Sequence, residues 1–261
     1  MKDVSLSHPI LFVGAGPGDP DLITVKGQKA LAAADLVVYA GSLVPEAMLQ
    51  WAPRAKAVNS ASLNLDQIIA IMAEAAAAGQ NVVRLHTGDP SLYGAIFEQM
   101  VELAKRGIVY RVIPGVTAAF AAAATLGLEY TLPEVTQTLI LTRMAGRTPV
   151  PETERLELLA AHQASMAIYL SIGMIDKLAG ILQKAYGPKA PCAVVYRASY
   201  PDEKVVLTTT MELAEAVHQA GITRQALVIV GKVLEVGLGD LKWTSRLYDR
   251  GFAHGFREAE Q

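Results

Sequence analysis

The sequence predicts an α/β protein of two domains, the N-terminal one built on a parallel sheet and the C-terminal one on a mixed sheet. Short apolar runs alternate with helix-period segments through the first half of the chain, and turn-rich loops follow three of those runs. Past residue 127 the pattern changes to include a strand pair joined by a short turn. These features divide the chain into domains at 1–127 and 128–239, with a polar, aromatic-bearing tail over 240–261. A chain of 261 residues can bury roughly 75% of its unfolded surface without disulfides or metals.

Taken in order, Leu11-Phe12-Val13 is a first strand that breaks into Gly14-Ala15-Gly16-Pro17-Gly18-Asp19-Pro20, followed by a helix over 24–34. A second strand covers 35–39 and a short third 56–59. The helix over 65–78 sets Leu65, Ile68, Ile69 and Met72 on one face and stops at Gly79. Residues 81–86 form a fourth strand, then a second turn-rich loop and a helix to about Arg106; 110–113 is a fifth strand ending in Pro114-Gly115, before an alanine-rich helix over 117–126. In the second domain 138–142, 167–170 and 193–196 are strands separated by helices. Residues 204–207 follow after a short turn and are expected to pair antiparallel with the strand before them. A helix over 211–220 leads to a strand at 226–230 that is expected to close the sheet.

Composition excludes several classes. The formal net charge of −2, from 23 basic and 25 acidic side chains, gives no basic surface for sequence-independent nucleic-acid binding. No apolar run reaches the ~18 residues needed to span a bilayer, and Met1-Lys2-Asp3-Val4-Ser5 lacks the regions of a signal peptide, so a soluble cytoplasmic protein is expected. Cys192 is the single cysteine, in a strand context, which excludes an intrachain disulfide and a cysteine-rich zinc site. The five histidines show no metal-ligand spacing, and no protein-bound metal is expected.

The opening loop invites comparison with the dinucleotide fingerprint, in which a third glycine follows G-x-G by three residues. That position is Asp19, an acid facing where a pyrophosphate would lie, and Pro17 removes an amide donor. A glycine-rich turn without a ligand stands as the plain alternative. The second loop, His86-Thr87-Gly88-Asp89-Pro90-Ser91-Leu92-Tyr93-Gly94, leaves the carboxyl end of a buried strand, where open α/β sheets bind ligands. An ordinary turn with Asp89 as a helix cap is its plain reading.

The run Gly14-Ala15-Gly16-Pro17-Gly18-Asp19-Pro20-Asp21-Leu22-Ile23-Thr24-Val25-Lys26-Gly27 resembles the first signature of the tetrapyrrole methylases, S-adenosylmethionine-dependent enzymes that methylate corrin and sirohaem precursors. Gly88-Asp89-Pro90 and Pro114-Gly115-Val116-Thr117-Ala118 resemble two further family segments, in the same order on successive strand ends. The resemblance runs from about Ile10 to Val236 and implies a two-domain class III methyltransferase, a homodimer, with its cofactor in the cleft between domains. It places Pro17 beside the cofactor, and Thr87, Gly88, Asp89 and Leu92 at its amino-acid and sulfonium part. Thr117 and Ala118 supply neighbouring contacts, and Ser171 and Ala198 hold the adenosine.

Family enzymes that act on uroporphyrinogen carry an acid after the second strand, where this chain has Ala40-Gly41-Ser42-Leu43-Val44; the resemblance thus points to the corrin-precursor branch. Such substrates are polycarboxylates. Arg143 and Arg147, bracketing Met144-Ala145-Gly146 at a strand end, are candidates to hold carboxylates bidentately, with a solvated loop as the alternative. His86, beside the second loop, is a candidate substrate contact or a hydrogen-bonded structural histidine. Methyl transfer from a sulfonium to an electron-rich carbon requires no metal, and no catalytic side chain is assigned. A non-catalytic tetrapyrrole carrier would dispense with the intact cofactor loops.

Overall fold

The computed structural model describes residues 8–236 and 245–259; the expectations for Met1–Ser5 and for the start of the tail at Asp240 fall outside the described residues. The chain divides into two units, the first running to Ala121 and including Ser199–Pro201, the second comprising Ala122–Ala198 and the residues from Asp202 onward.

In the first unit the elements are β1 (Ile10–Gly14), α1 (Val25–Ala32), β2 (Leu36–Tyr39), β3 (Lys56–Asn59), α2 (Leu65–Ala77), β4 (Val82–His86), α3 (Phe97–Lys105), β5 (Tyr110–Ile113) and the start of α4 (Ala118–Leu126). The strands form one sheet in the order β3-β2-β4-β1-β5, every neighbouring pair parallel. Alternate strand residues enter opposite faces, as a period of two requires. Val13, Val37, Tyr39, Val83 and Leu85 pack with Leu31 of α1 and Met48 on one side. Ile10, Phe12, Leu36, Val38 and Val82 pack with Ile68, Ile69 and Met72 of α2 and Leu103 of α3 on the other. Burial on both faces explains why these strands read as continuous apolar runs. Because β1 lies between β4 and β5, the loops leaving all three emerge side by side at the carboxyl edge of the sheet.

The second unit contains β6 (Leu139–Arg143), α5 (Leu156–Ala160), β7 (Ser165–Tyr169), α6 (Ile175–Tyr186), β8 (Pro191–Tyr196), β9 (Lys204–Thr209), α7 (Leu213–Gln219) and β10 (Ala226–Val230). Its sheet is ordered β6-β7-β10-β8-β9 and is mixed. β6 and β7 are parallel, while β10 runs antiparallel to β7 and β8, and β8 and β9 form an antiparallel pair. β10 therefore does not close the sheet but occupies its centre, where Val228 and Val230 join Met166, Ile168 and Val194 in the core beneath α6. With β10 reversed between β7 and β8, the strands β6, β7 and β8 point the same way, and their carboxyl ends, at Arg143, Tyr169 and Tyr196, share one edge.

The start of α2 is fixed locally. Asn64 accepts from the Gln67 amide at 3.0 Å while the Gln67 side chain accepts from the Asn64 amide at 3.0 Å, a reciprocal capping box. Asn64→Ala should lower stability by about 1 kcal/mol in urea denaturation while leaving ligand binding unchanged.

Candidate functional site

Three loops meet at the carboxyl ends of β4, β1 and β5. The Ala15 amide donates to the His86 carbonyl at 2.7 Å, and Gly16 and Gly88 exchange amide-to-carbonyl bonds at 3.3 and 2.7 Å. Asp89 then ties the second loop to itself and to the third: one carboxylate oxygen accepts from the Ser91 amide at 2.8 Å and the other from the Gly115 amide at 2.9 Å. The approach is so close that a Cβ on Gly14 would lie 2.6 Å from the Gly115 backbone and the Gly88 carbonyl oxygen, and one on Gly115 would run into that same oxygen. Gly88 is different. Its φ is 59°, left-handed, while a Cβ there would meet nothing nearer than 3.7 Å, so this position has an open face.

Asp19 has a local role. Its side chain accepts from the Asp21 amide at 2.9 Å and caps the 3₁₀ turn Pro20–Leu22. Thr24 caps α1 by accepting from the Gly27 amide at 3.1 Å and donates to the Pro114 carbonyl at 3.4 Å, so the first and third loops are joined a second time. Pro17 is buried in the loop; Thr87, Gly88, Asp89 and Leu92 are half-buried around the crossing, with Thr117 buried and Ala118 half-buried at the head of α4. The first unit thus gathers Pro17, His86, Thr87, Gly88, Asp89, Leu92, Thr117 and Ala118 at one edge. An open glycine backbone, a half-buried threonine hydroxyl and a carboxylate fit a zwitterionic ligand carrying a positive sulfur.

Beside these loops the first unit has an open pocket of about 310 Å³, lined in part by Ala40, Leu43, Arg84, His86, Tyr93 and Glu98. Arg84 was not singled out by sequence reasoning, although a charged residue inside a buried strand is a signal for it. Its side chain is 5% exposed and forms no ion pair among the described residues; it donates to Gln99 Oε1 at 3.0 Å, and to the Val38 carbonyl and Ser60 Oγ at 3.1 Å each. Burial lowers its pKa to about 10, so it stays cationic near neutrality. His86 is buried and stacks on Phe12 with ring centroids 5.9 Å apart, and its Nε2 has no hydrogen-bond partner among the described residues. Desolvation, reinforced by Arg84, pushes its pKa down to about 3. A fixed cation beside a neutral imidazole with a vacant nitrogen is suited to an anionic group.

In the second unit, Ser171 is fully buried; its hydroxyl donates to the Tyr169 carbonyl at 2.7 Å and accepts from the Met144 amide at 2.9 Å, joining the ends of β7 and β6. Ala198 is buried after β8. Arg143 donates to the carbonyls of Met144 and Thr148 at 3.2 Å each and of Pro149 at 2.8 Å, folding its own loop around the guanidinium. Arg143 thus directs three hydrogen bonds into its own loop, whereas Arg147 is exposed.

These two α/β units, with three glycine-built loops at one sheet edge, define a cofactor-binding enzyme of the tetrapyrrole methylase class. The chain belongs to that family: the model for tetrapyrrole (corrin/porphyrin) methylases matches residues 9–214. A cobalt-precorrin-4 C(11)-methyltransferase from Methanocaldococcus jannaschii is 51% identical over 257 residues, 98% of each chain. A precorrin-4 C(11)-methyltransferase from Pseudomonas aeruginosa is 48% identical over 252 residues, 96% of this chain and 99% of the relative. Among solved structures, a cobalt-precorrin-4 methyltransferase superposes with a TM-score of 0.84 at 46% identity, covering 87% of this chain and 95% of that one. A Thermus thermophilus uroporphyrin-III C-methyltransferase complexed with S-adenosylhomocysteine gives a TM-score of 0.74 at 29% identity, covering 88% of this chain and 100% of that one.

Two outcomes follow from the geometry. Gly115→Ala should be severely destabilising, by several kcal/mol, because its Cβ meets backbone that cannot yield; Gly88→Ala should cost only about 1 kcal/mol, from its left-handed φ. Thermal melts of the two variants check this order. For His86, the unfolded chain takes up a proton near pH 6.5 whereas the folded protein resists until about pH 3. The stability held by the neutral imidazole is thus complete above about pH 6.5 and is lost on acidification from there towards pH 3, at up to about 1.4 kcal/mol per pH unit. Urea midpoints at pH 7 and pH 5 should fall further for the wild type than for His86→Gln.

Proposed function

We propose that this protein transfers the methyl group of S-adenosylmethionine to carbon 11 of precorrin-4 or of its cobalt form, in cobalamin biosynthesis. The observation that carries the reading is the crossing of the Gly14–Asp19, Thr87–Asp89 and Pro114–Ala118 loops, in a chain that matches precorrin-4 methyltransferases over nearly its whole length. The segments 39–44, 86–94, 142–151 and 245–249 are also similar to that enzyme.

Bound S-adenosylmethionine supplies an electrophilic methyl on a positively charged sulfur. The protein's part is to hold and orient. Thr87, Gly88, Asp89, Leu92, Thr117 and Ala118 form the proposed binding edge in the first unit, with Pro17 beside them; Ser171 and Ala198 stay as the adenosine contacts that the family resemblance implies. Arg84 and His86 in their cavity hold a carboxylate arm of the macrocycle, and Arg147 adds an exposed cation for another. Because the ring carbon is itself the nucleophile, acceleration rests on alignment with the methyl group and exclusion of water, without an assigned general base. The ring's metal, where present, belongs to the substrate. We take the active form to be a homodimer, as the family resemblance implies, and to work in the cytoplasm, as the composition suggests; among the described residues no helix is long and apolar enough to cross a membrane.

Mass spectrometry of precorrin-4 and cobalt-precorrin-4, incubated separately with the protein and methyl-labelled cofactor, tests the proposal. One of them should gain a single labelled methyl at carbon 11; transfer to neither, or to another carbon, would overturn it. In the same assay Arg147→Gln should weaken tetrapyrrole binding roughly tenfold, fading with added salt, while leaving S-adenosylhomocysteine affinity nearly unchanged. Equal loss for both ligands would make Arg147 structural.

A further inference from the structure

We infer that Ser199 and Tyr200 form a strap that positions the cofactor loop and the wall of the tetrapyrrole cavity together, so that Tyr200 is a positioning residue for methyl transfer. The inference rests on the functional reading above. Both residues belong to the first unit although they lie far along the chain.

Ser199 Oγ accepts from the Asp19 amide at 3.0 Å, at the end of the glycine-rich loop. The ring of Tyr200 fills the space where a Cβ on Gly18 would lie, which explains why that buried position is glycine. The Tyr200 hydroxyl then donates to the Leu43 carbonyl at 2.9 Å. Leu43 sits in a turn closed by bonds from the Leu43 and Val44 amides to the Ala40 carbonyl, at 2.9 Å each, and Ala40 and Leu43 both line the Arg84–His86 cavity. One side chain thus touches the cofactor loop with its ring and the substrate wall with its hydroxyl. Ser199 holds a left-handed φ of 68°, a conformation that costs a non-glycine residue on the order of 1–3 kcal/mol and persists only where its surroundings impose it.

The two contacts can be removed separately. Tyr200→Phe keeps the ring on Gly18 and deletes the bond to Leu43; it should raise the tetrapyrrole KM roughly three- to tenfold while the Kd for S-adenosylhomocysteine stays within about twofold. Tyr200→Ala removes both contacts and should weaken both ligands, with Tyr200→Phe rescuing the cofactor term alone. Hydrogen exchange, which needs no substrate, should show faster exchange in residues 40–44 for Tyr200→Phe, and in residues 14–19 as well for Tyr200→Ala. A merely structural strap would lower thermal stability and weaken both ligands in parallel in Tyr200→Phe; that result, or wild-type KM and exchange, would overturn the inference. A wild-type protein that methylates neither precursor would refute the functional reading instead, and the exchange arm would still decide the strap.

Discussion

The site depends on one steric constraint, the approach of three backbones with no side chain between them. β1 carries Gly14 at its carboxyl end, between the loops of β4 and β5, and the Gly115 backbone and Gly88 carbonyl stand where a Cβ on Gly14 would be. Hydrogen bonds confine what sterics permit: Ala15 to His86, Gly16 with Gly88, and Asp89 to Gly115. Gly88 keeps an open face, since a Cβ there would meet nothing nearer than 3.7 Å, while the donors and acceptors used in the crossing are spent within it. Asp89 illustrates this. Its two oxygens are engaged by the amides of Ser91 and Gly115, so what it has left to offer beyond the crossing is charge rather than a hydrogen bond.

Arg84 adds an electrostatic constraint to the steric one. A buried cation is costly unless its protons find partners, and here Nε and Nη1 donate to neutral acceptors, Gln99, Val38 and Ser60. An arrangement built for stability alone would place a carboxylate against the guanidinium. With neutral partners its charge has no ion pair among the described residues and helps keep His86 uncharged, and both residues line the pocket together with Glu98. The imidazole therefore offers a hydrogen-bonding nitrogen rather than a second charge.

Much of this was legible in the sequence. Lys56–Asn59, Tyr110–Ile113 and Ala226–Val230 are strands at the predicted residues, whereas Ser165–Tyr169 and Pro191–Tyr196 begin two residues before the predicted 167–170 and 193–196, because residue pattern specifies a strand's existence more firmly than its limits. Strand order was not legible: nothing local in Ala226–Val230 distinguishes a central strand from an edge, since neighbours are chosen by the whole sheet. The loops were legible because glycine and proline punctuate the ends of the strands, and at Gly14 and Gly115 the close backbone approach leaves no room for a side chain. Arg84 was hidden within Val82-Val83-Arg84-Leu85-His86, where period and hydrophobicity alone give a strand. Arg143 and Arg147 looked equivalent because sequence spacing does not reveal the carbonyls of Met144, Thr148 and Pro149 that capture one of them.

The strand ends of the second unit follow a different physical logic. After β7 and β8 the chain passes through Leu170 at φ 53° and Arg197 at φ 49°, left-handed residues with no glycine to mark them. Tertiary structure must hold such conformations, and the bonds that do so are visible. Ser171 joins Tyr169 to Met144, and Arg197 is fixed by Asp202 at 2.8 Å and by the Gln225 carbonyl, which accepts its amide at 2.9 Å. The first unit combines both devices, with glycines at the crossing and left-handed Tyr93 at φ 57° and Ala95 at φ 48° in and just after the second loop; the ends of β7 and β8 rely on left-handed non-glycine residues alone. Both devices fix main-chain atoms in advance of any ligand, as the alignment proposed above for methyl transfer requires.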